Sequence, residues 1–231
     1  MCFSATASFS AGAVLLGVAA LTLHAAKKPA TSPREWLFAA IPLLFAIQQL
    51  IEGVIWLTFS ADAALINSVM THAYSFFSHV LWPLVVPAAV VLMEPAGWRR
   101  RVLFAFVAAG AAVAAYLLVV LVSFPVVSKP TGQHIEYVSP HFFAAATMTL
   151  YLLSTAISPL LSTHRMVVVF GALALLSFGA AYAFYATWFI SVWCFFAALL
   201  SAVVYRHFAL KPRGNSTPAR ADTRPAPQRW T

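Results

Sequence analysis

A succession of apolar runs, each long enough to cross the hydrocarbon of a bilayer, constrains this chain more than any other feature. A transmembrane helix needs about 20 mostly apolar residues. Seven segments meet that need, over residues 6–25, 36–58, 67–93, 102–127, 139–161, 166–185 and 187–207. The gaps hold breakers or charges: Pro29 to Pro33, Asp62, Glu94-Pro95, Lys129-Pro130 and His164-Arg165. The sixth gap is very short, so the last two helices are expected to form a tight hairpin. Composition agrees with lipid as the solvent. Charged residues are 9% of the chain, against roughly 25% in soluble domains, too few to cover a water-facing surface. The fold class expected is therefore all-α, an integral membrane bundle of about seven transmembrane helices.

The charges set the orientation. Of the 14 Lys and Arg residues, 13 fall in odd-numbered gaps or the C-terminal end, and only Lys129 falls in an even-numbered gap. That asymmetry is the positive-inside pattern, and it places the N-terminus outside and the C-terminus in the cytoplasm. It also accounts for the net charge of +8 by anionic headgroups, so no nucleic-acid partner is needed. The first cation, Lys27, follows the first apolar run, so that run reads as a retained span, not a leader. Residues 1–207 form the expected transmembrane domain. Residues 208–231, rich in Pro, Arg, Ser and Thr, read as a disordered basic cytoplasmic tail. Cys2 and Cys194 make no disulfide framework and no CxxC site.

Polar groups within the hydrocarbon are costly and mark candidate sites. The second span carries Gln48, Gln49 and Glu52, the only carboxylate inside an expected span. Gln48, Glu52 and Trp56 recur every four residues and share a face. The third span carries His72, Ser75 and His79 on one stripe, with Pro83 continuing it. Counting 1.5 Å per residue from the outer ends puts Glu52 and His72 at about 9 and 8 Å depth. Gln48 and His79 come to about 15 and 18 Å. Two rungs are expected, Glu52 with His72 and Gln48 with His79, and His141 at the start of the fifth span adds a third imidazole from the outer side. His134 and Glu136 occupy the outer loop above them, either as solvated loop residues or as a lid. His24, His164 and His207 are expected at cytoplasmic helix ends, against headgroups or helix-end carbonyls.

These rungs serve either as interhelical hydrogen bonds that hold register or as an outward-facing site. As a site, Gln48, Gln49, Glu52, Ser75 and the three imidazoles would bind or translocate a small ligand, ion or proton. Glu52, His72, His79 and His141 could also hold Zn²⁺, or non-haem iron, in a metal-dependent membrane enzyme.

The opening Met1-Cys2-Phe3-Ser4-Ala5-Thr6-Ala7-Ser8-Phe9, the run Pro42 to Trp56 (PLLFAIQQLIEGVIW) and Ser78 to Pro83 (SHVLWP) resemble a family of uncharacterised bacterial multi-spanning membrane proteins. The resemblance covers all seven spans. It implies the bacterial cytoplasmic (inner) membrane and supplies no activity. Ser75-Phe76-Phe77-Ser78-His79 also resembles the S-x-x-x-H element of the alkaline ceramidase and progestin-receptor-like zinc hydrolases. The chain departs from that pattern in its last span, where Tyr205-Arg206-His207 offers one His and no HxxxH.

Overall fold

The computed structural model describes residues 4–132, 134–140, 143–185 and 200–212, with the backbone alone for 181–185. Helix α1 spans Ala5–Ala25, its first turn capped by Ser4, whose hydroxyl accepts from the Ala7 amide. A one-turn α2 (Trp36–Ala39) runs into α3 (Ile41–Ala61). Asp62, in the left-handed conformation that Asp tolerates better than most residues, turns the chain into α4 (Ala64–Phe76). A π-helical turn at Phe77–Leu81 joins α4 to α5 (Trp82–Met93). Helix α6 (Trp98–Ser123) leads into an antiparallel hairpin of β1 (Val127–Thr131) and β2 (His134–Val138). Helix α7 (Ala144–Leu152) continues through a second π turn, Leu153–Ile157, and a 3-10 turn, Ser158–Leu161. The described chain ends with α8 (Arg165–Tyr185) and α9 (Ser201–Ala209).

Among the described residues, five helical stretches are long and apolar enough to cross a membrane: Ala5–Ala25, Pro33–Ala61, Ala64–Met93, Trp98–Ser123 and Ala144–Leu161. They coincide with the first five expected spans to within a few residues. Arg165–Ala180 is a shorter apolar helix. The tight hairpin expected between the last two spans, with Cys194, lies outside the described residues, as do Cys2, His141 and the tail from 213 onward. One expectation is corrected. Residues 127–138 are a β-hairpin, where the sequence suggested the end of a span and a loop.

Both π turns end two residues before a proline, at Pro83 and Pro159. A proline inside a helix lacks the N–H and pushes its ring into the carbonyl four residues back. A widened turn accommodates both faults without breaking the helix, and such turns recur at functional sites. Across the bundle, the hydroxyl of Tyr151, two residues before the second π turn, donates to Ser78 O of the first at 2.6 Å. Gly110 of α6 lies between them, so close that an added Cβ would stand 2.0 Å from Pro83 O and 3.2 Å from Ser154 Cβ.

The basic loops converge at one end of the bundle. Lys28 Nζ donates to the carbonyls of Phe208, Ala209 and Lys211, closing the C-terminus of α9. Glu35 accepts from Lys211 and pairs with His207 at 3.1 Å. Glu94 is fully buried and takes the Thr163 amide and the Ser162 hydroxyl. His164 Nε2 bonds to Met93 O, the last carbonyl of α5, so for His164 the helix-end expectation holds. His207 instead meets a carboxylate. The hairpin lies at the opposite end of α3, beside Thr58 and Asn67.

Candidate functional site

Helix α3 turns a polar face inward. Gln48, Gln49 and Glu52 are all essentially without solvent exposure, and at 100° per residue they and Trp56 fall within about 100° of arc. On the adjoining side of the helix, Gly12 of α1 lies against Leu50, and the ring of Phe9 lies against Gly53. Ser8 belongs to the buried stripe of α1, with Gly12, Leu15, Ala19 and Thr22, and so stands level with Glu52 and Gly53.

The helix pairing differs from depth counting. At the hairpin end, Asn67 Nδ2 donates to Thr58 Oγ1 at 2.8 Å. Deeper, the Trp82 indole donates to Gln48 Oε1 at 2.8 Å. Ten residues of α3 are thus matched by fifteen of the α4–α5 helix, which a tilted crossing with an inserted π residue accommodates. Glu52 therefore stands opposite the stretch around Tyr74 to Ser78, about one turn below the level that counting assigned. The expected rung between Glu52 and His72 does not form: half-buried His72 makes its hydrogen bond to Ser68 O, one turn back on its own helix. His79 Nδ1 likewise faces its own helix, with Ser75 O at 3.0 Å and Ser78 Oγ at 2.8 Å. Since a carbonyl only accepts, Nδ1 carries a proton in this geometry. Trp82, three residues beyond His79, supplies one partner of Gln48.

The hairpin roofs this face. Tyr137 stacks on Tyr74 with ring centroids 4.5 Å apart and planes within 4°, and its hydroxyl donates to Glu52 Oε1 at 3.5 Å. Ile135 packs fully buried with Ile55 and Tyr74. A chain of side-chain bonds fastens β1 beneath. Thr71 donates to Ser128, Ser128 donates to Asn67 Oδ1, Asn67 donates to Thr58, and Thr58 donates to Ile55 O. His134 is buried in the turn region, and burial holds its imidazole below the ordinary histidine value. The hairpin, considered as a lid through His134 and Glu136, covers the site through Ile135 and Tyr137. Glu136 instead faces Lys129 across the strands and accepts from Thr131.

Several buried polar atoms of this layer have no hydrogen-bond partner among the described residues: Ser8 Oγ, Gln49 Oε1, Trp56 Nε1 and Ser75 Oγ. Among the described residues no three His, Cys, Asp or Glu side chains come together as a metal-binding group. The set Glu52, His72, His79 and His141 is thus not assembled by the members described, and His141 lies outside them. Sequence reading passed over Ser8, Tyr74, Trp82 and Tyr137. The signal for Tyr137 was present as the alternation Ile135, Tyr137 beyond a Gly132 turn with positive φ, a period-two pattern with one inward face.

The geometry defines a helical protein with several membrane-length helices and a fully buried polar layer roofed by a β-hairpin. Residues 1–221 match the family of unknown function DUF6629, and the chain belongs to that family. No curated protein and no solved structure matches it.

Proposed function

We propose that the chain is a seven-span protein of the bacterial cytoplasmic membrane, with its N-terminus outside, and that the layer around Glu52 binds or translocates a small ligand, ion or proton. Residues 1–207 form the membrane domain and 208–231 a basic cytoplasmic tail. The orientation is supported by the convergence of Lys28, Glu35, Glu94, His164, His207 and Lys211 at one end. Among the described lysines and arginines, Lys129 is the one at the hairpin end.

One observation carries the functional reading. A carboxylate with 0% exposure sits in the apolar body of a membrane-length helix, where the Tyr137 hydroxyl donates to it at 3.5 Å. Burying an ionised carboxylate costs several kcal/mol or more unless it is paired and hydrogen-bonded. A structural role alone would be served as well by a residue without that cost, as at Trp82 and Gln48. An ionisable group buried within such a helix is a candidate for serving a proton, an ion or a polar ligand.

The test is thermal melting of the purified full chain in detergent, against pH and a panel of small ions. Wild type should show a midpoint that moves with pH or with one ion, and Glu52→Gln should abolish that movement. Identical responses in both proteins would refute the reading.

A further inference from the structure

We infer that the two π turns form one coupled hinge. The Tyr151 hydroxyl of the second helix closes a backbone carbonyl left open in the first, and α4 turns against α5 only when that bond opens. Neither the bond nor the hinge depends on the role of Glu52.

The two helices repeat one local construction at the constant offset that separates Ser78 from Ser154. The π turns lie at Phe77–Leu81 and Leu153–Ile157, and Pro83 and Pro159 follow them. Ser78 and Ser154 each donate to the carbonyl three residues back, Ser75 O and Tyr151 O. His79 Nδ1 and the Thr155 hydroxyl donate to those same two carbonyls. The construction leaves one carbonyl in each helix without a backbone donor. In the first, the Trp82 amide turns back to Phe77 O, and the next residue in line for Ser78 O is Pro83, which has no N–H. In the second, the Ser158 amide goes to Leu153 O, and Pro159 has none for Ser154 O. Buried carbonyls must be paired, and within a bilayer hydroxyls and neighbouring helices take over the freed groups.

The two copies differ in what takes over. Ser154 O accepts from the Ser158 hydroxyl of its own helix at 2.5 Å. The matching position in the first helix is Trp82, whose indole is turned to Gln48. Ser78 O accepts instead from Tyr151 at 2.6 Å, so the first helix depends on the second for its closure. The two sides of that turn carry different loads. On one side, Thr71 bonds Ser128 and Tyr74 stacks on Tyr137, so α4 carries the hairpin. On the other, Trp82 is tied to Gln48 and Pro83 O abuts Gly110, so α5 is fixed to α3 and α6. A π turn holds one residue more than the α-helical pattern. Moving that excess along the helix re-aims each residue it passes by about 100°. With Ser78 O held, the excess stays at Phe77–Leu81; with it released, α4 turns with the hairpin while α5 stays.

The test is amide hydrogen exchange, read segment by segment on the purified full chain in detergent. Tyr151→Phe removes the hydroxyl and keeps the ring. Exchange should quicken about tenfold or more over Ala64–Phe76 and Val127–Val138, the loss of one bond to a buried carbonyl, and stay at the wild-type rate over Ala5–Ala25. Pro83→Ala supplies the missing N–H, five residues on from Ser78 O and so within reach of it in the π geometry. Alone it should exchange no faster than wild type. Combined with Tyr151→Phe it should reverse most of the quickening, the coupling that a double-mutant cycle measures. A merely packing tyrosine predicts neither the quickening nor the rescue. Tyr151→Phe exchanging as wild type, or quickening equally over Ala5–Ala25, would overturn the inference, as would a double variant no slower than Tyr151→Phe. If Tyr151→Phe does not fold, recovery of the fold by Pro83→Ala supports the hinge and failure to recover it overturns it.

Discussion

Replacing Gly110 by alanine should damage the bundle more than any other single-methyl change at the described glycines. The new Cβ would lie 2.0 Å from Pro83 O and 3.1 Å from its carbonyl carbon, where ordinary contact begins at about 3.4 Å. The obstacle is backbone in a helix flanked by a π turn, and the Ser154 side chain blocks the other direction at 3.2 Å. No rotamer change relieves it, so α6 must withdraw from α5 by more than an ångström. Overpacking a well-filled core costs about 1–3 kcal/mol, sometimes more, and a clash against backbone on one side with a side chain closing the other belongs at or above the top of that range. Helix propensity works the other way, since alanine gains roughly 1 kcal/mol over glycine inside a helix. The net expectation is a loss of about 2 kcal/mol or more. Gly17→Ala provides the control, because nothing lies within 4 Å of its added Cβ and propensity alone should leave stability unchanged or higher. Both can be measured by thermal melting of the detergent-solubilised protein, with tryptophan emission as the signal. Gly110→Ala melting with wild type would refute the three-helix contact among Gly110, Pro83 and Ser154.

Three further outcomes are expected. Reporter fusions after Arg101 and after Arg213 should read cytoplasmic, and one after Lys129 external; an external tail would mean a miscounted span. Trp82→Phe keeps much of the ring stacked on Phe45 but removes the indole donor to Gln48 Oε1, so it should cost about 1 kcal/mol, and a neutral melt would show that the indole bond is dispensable. Burial lowers the folded-state value of His134, so its neutral form is favoured on folding. Hairpin docking should therefore be pH-independent above the unfolded value of about 6.5 and weaken as pH falls below it. Corrected for the intrinsic slowing of exchange in acid, amide protection over Val127–Val138 should fall on acidification in wild type and less in His134→Phe; equal falls would remove His134 from the account.

Spans were legible because lipid imposes length and apolarity on each element separately, and Ala5–Ala25 or Trp98–Ser123 satisfies both without reference to a neighbour. The candidate layer was legible only in part. Gln48, Gln49, Glu52 and Ser75 stand out as polar residues in apolar runs and are buried together. Their partners did not follow, because depth counting assumes straight helices that share a register from the turn. The π turn at Phe77–Leu81 and the crossing of the two helices shift that register, so that Trp82 reaches Gln48 while His72 and His79 turn to carbonyls of their own helix. Glu35 and Glu94 read as gap residues, although both are buried. Their burial depends on loops distant in sequence, Lys211 for one and Ser162-Thr163 for the other, and no local pattern announces such a meeting.

The two ends of the bundle treat their polar groups differently, and that difference bears on where motion is expected. At the basic end, Glu94 takes two donors, Glu35 takes a lysine, a histidine and the Ser32 amide, and Lys28 closes three carbonyls. A fully satisfied network of charged groups is costly to open, because each partner lost leaves a desolvated charge behind. At the hairpin end, the fastening is a line of neutral hydroxyl and amide bonds through Thr71, Ser128, Asn67 and Thr58, each worth about 1 kcal/mol net. Over Glu52 the hairpin contributes a stacked tyrosine, the buried Ile135 and a long hydroxyl contact, all uncharged. Local opening draws on the weaker set, so the hairpin end is expected to open before the basic end.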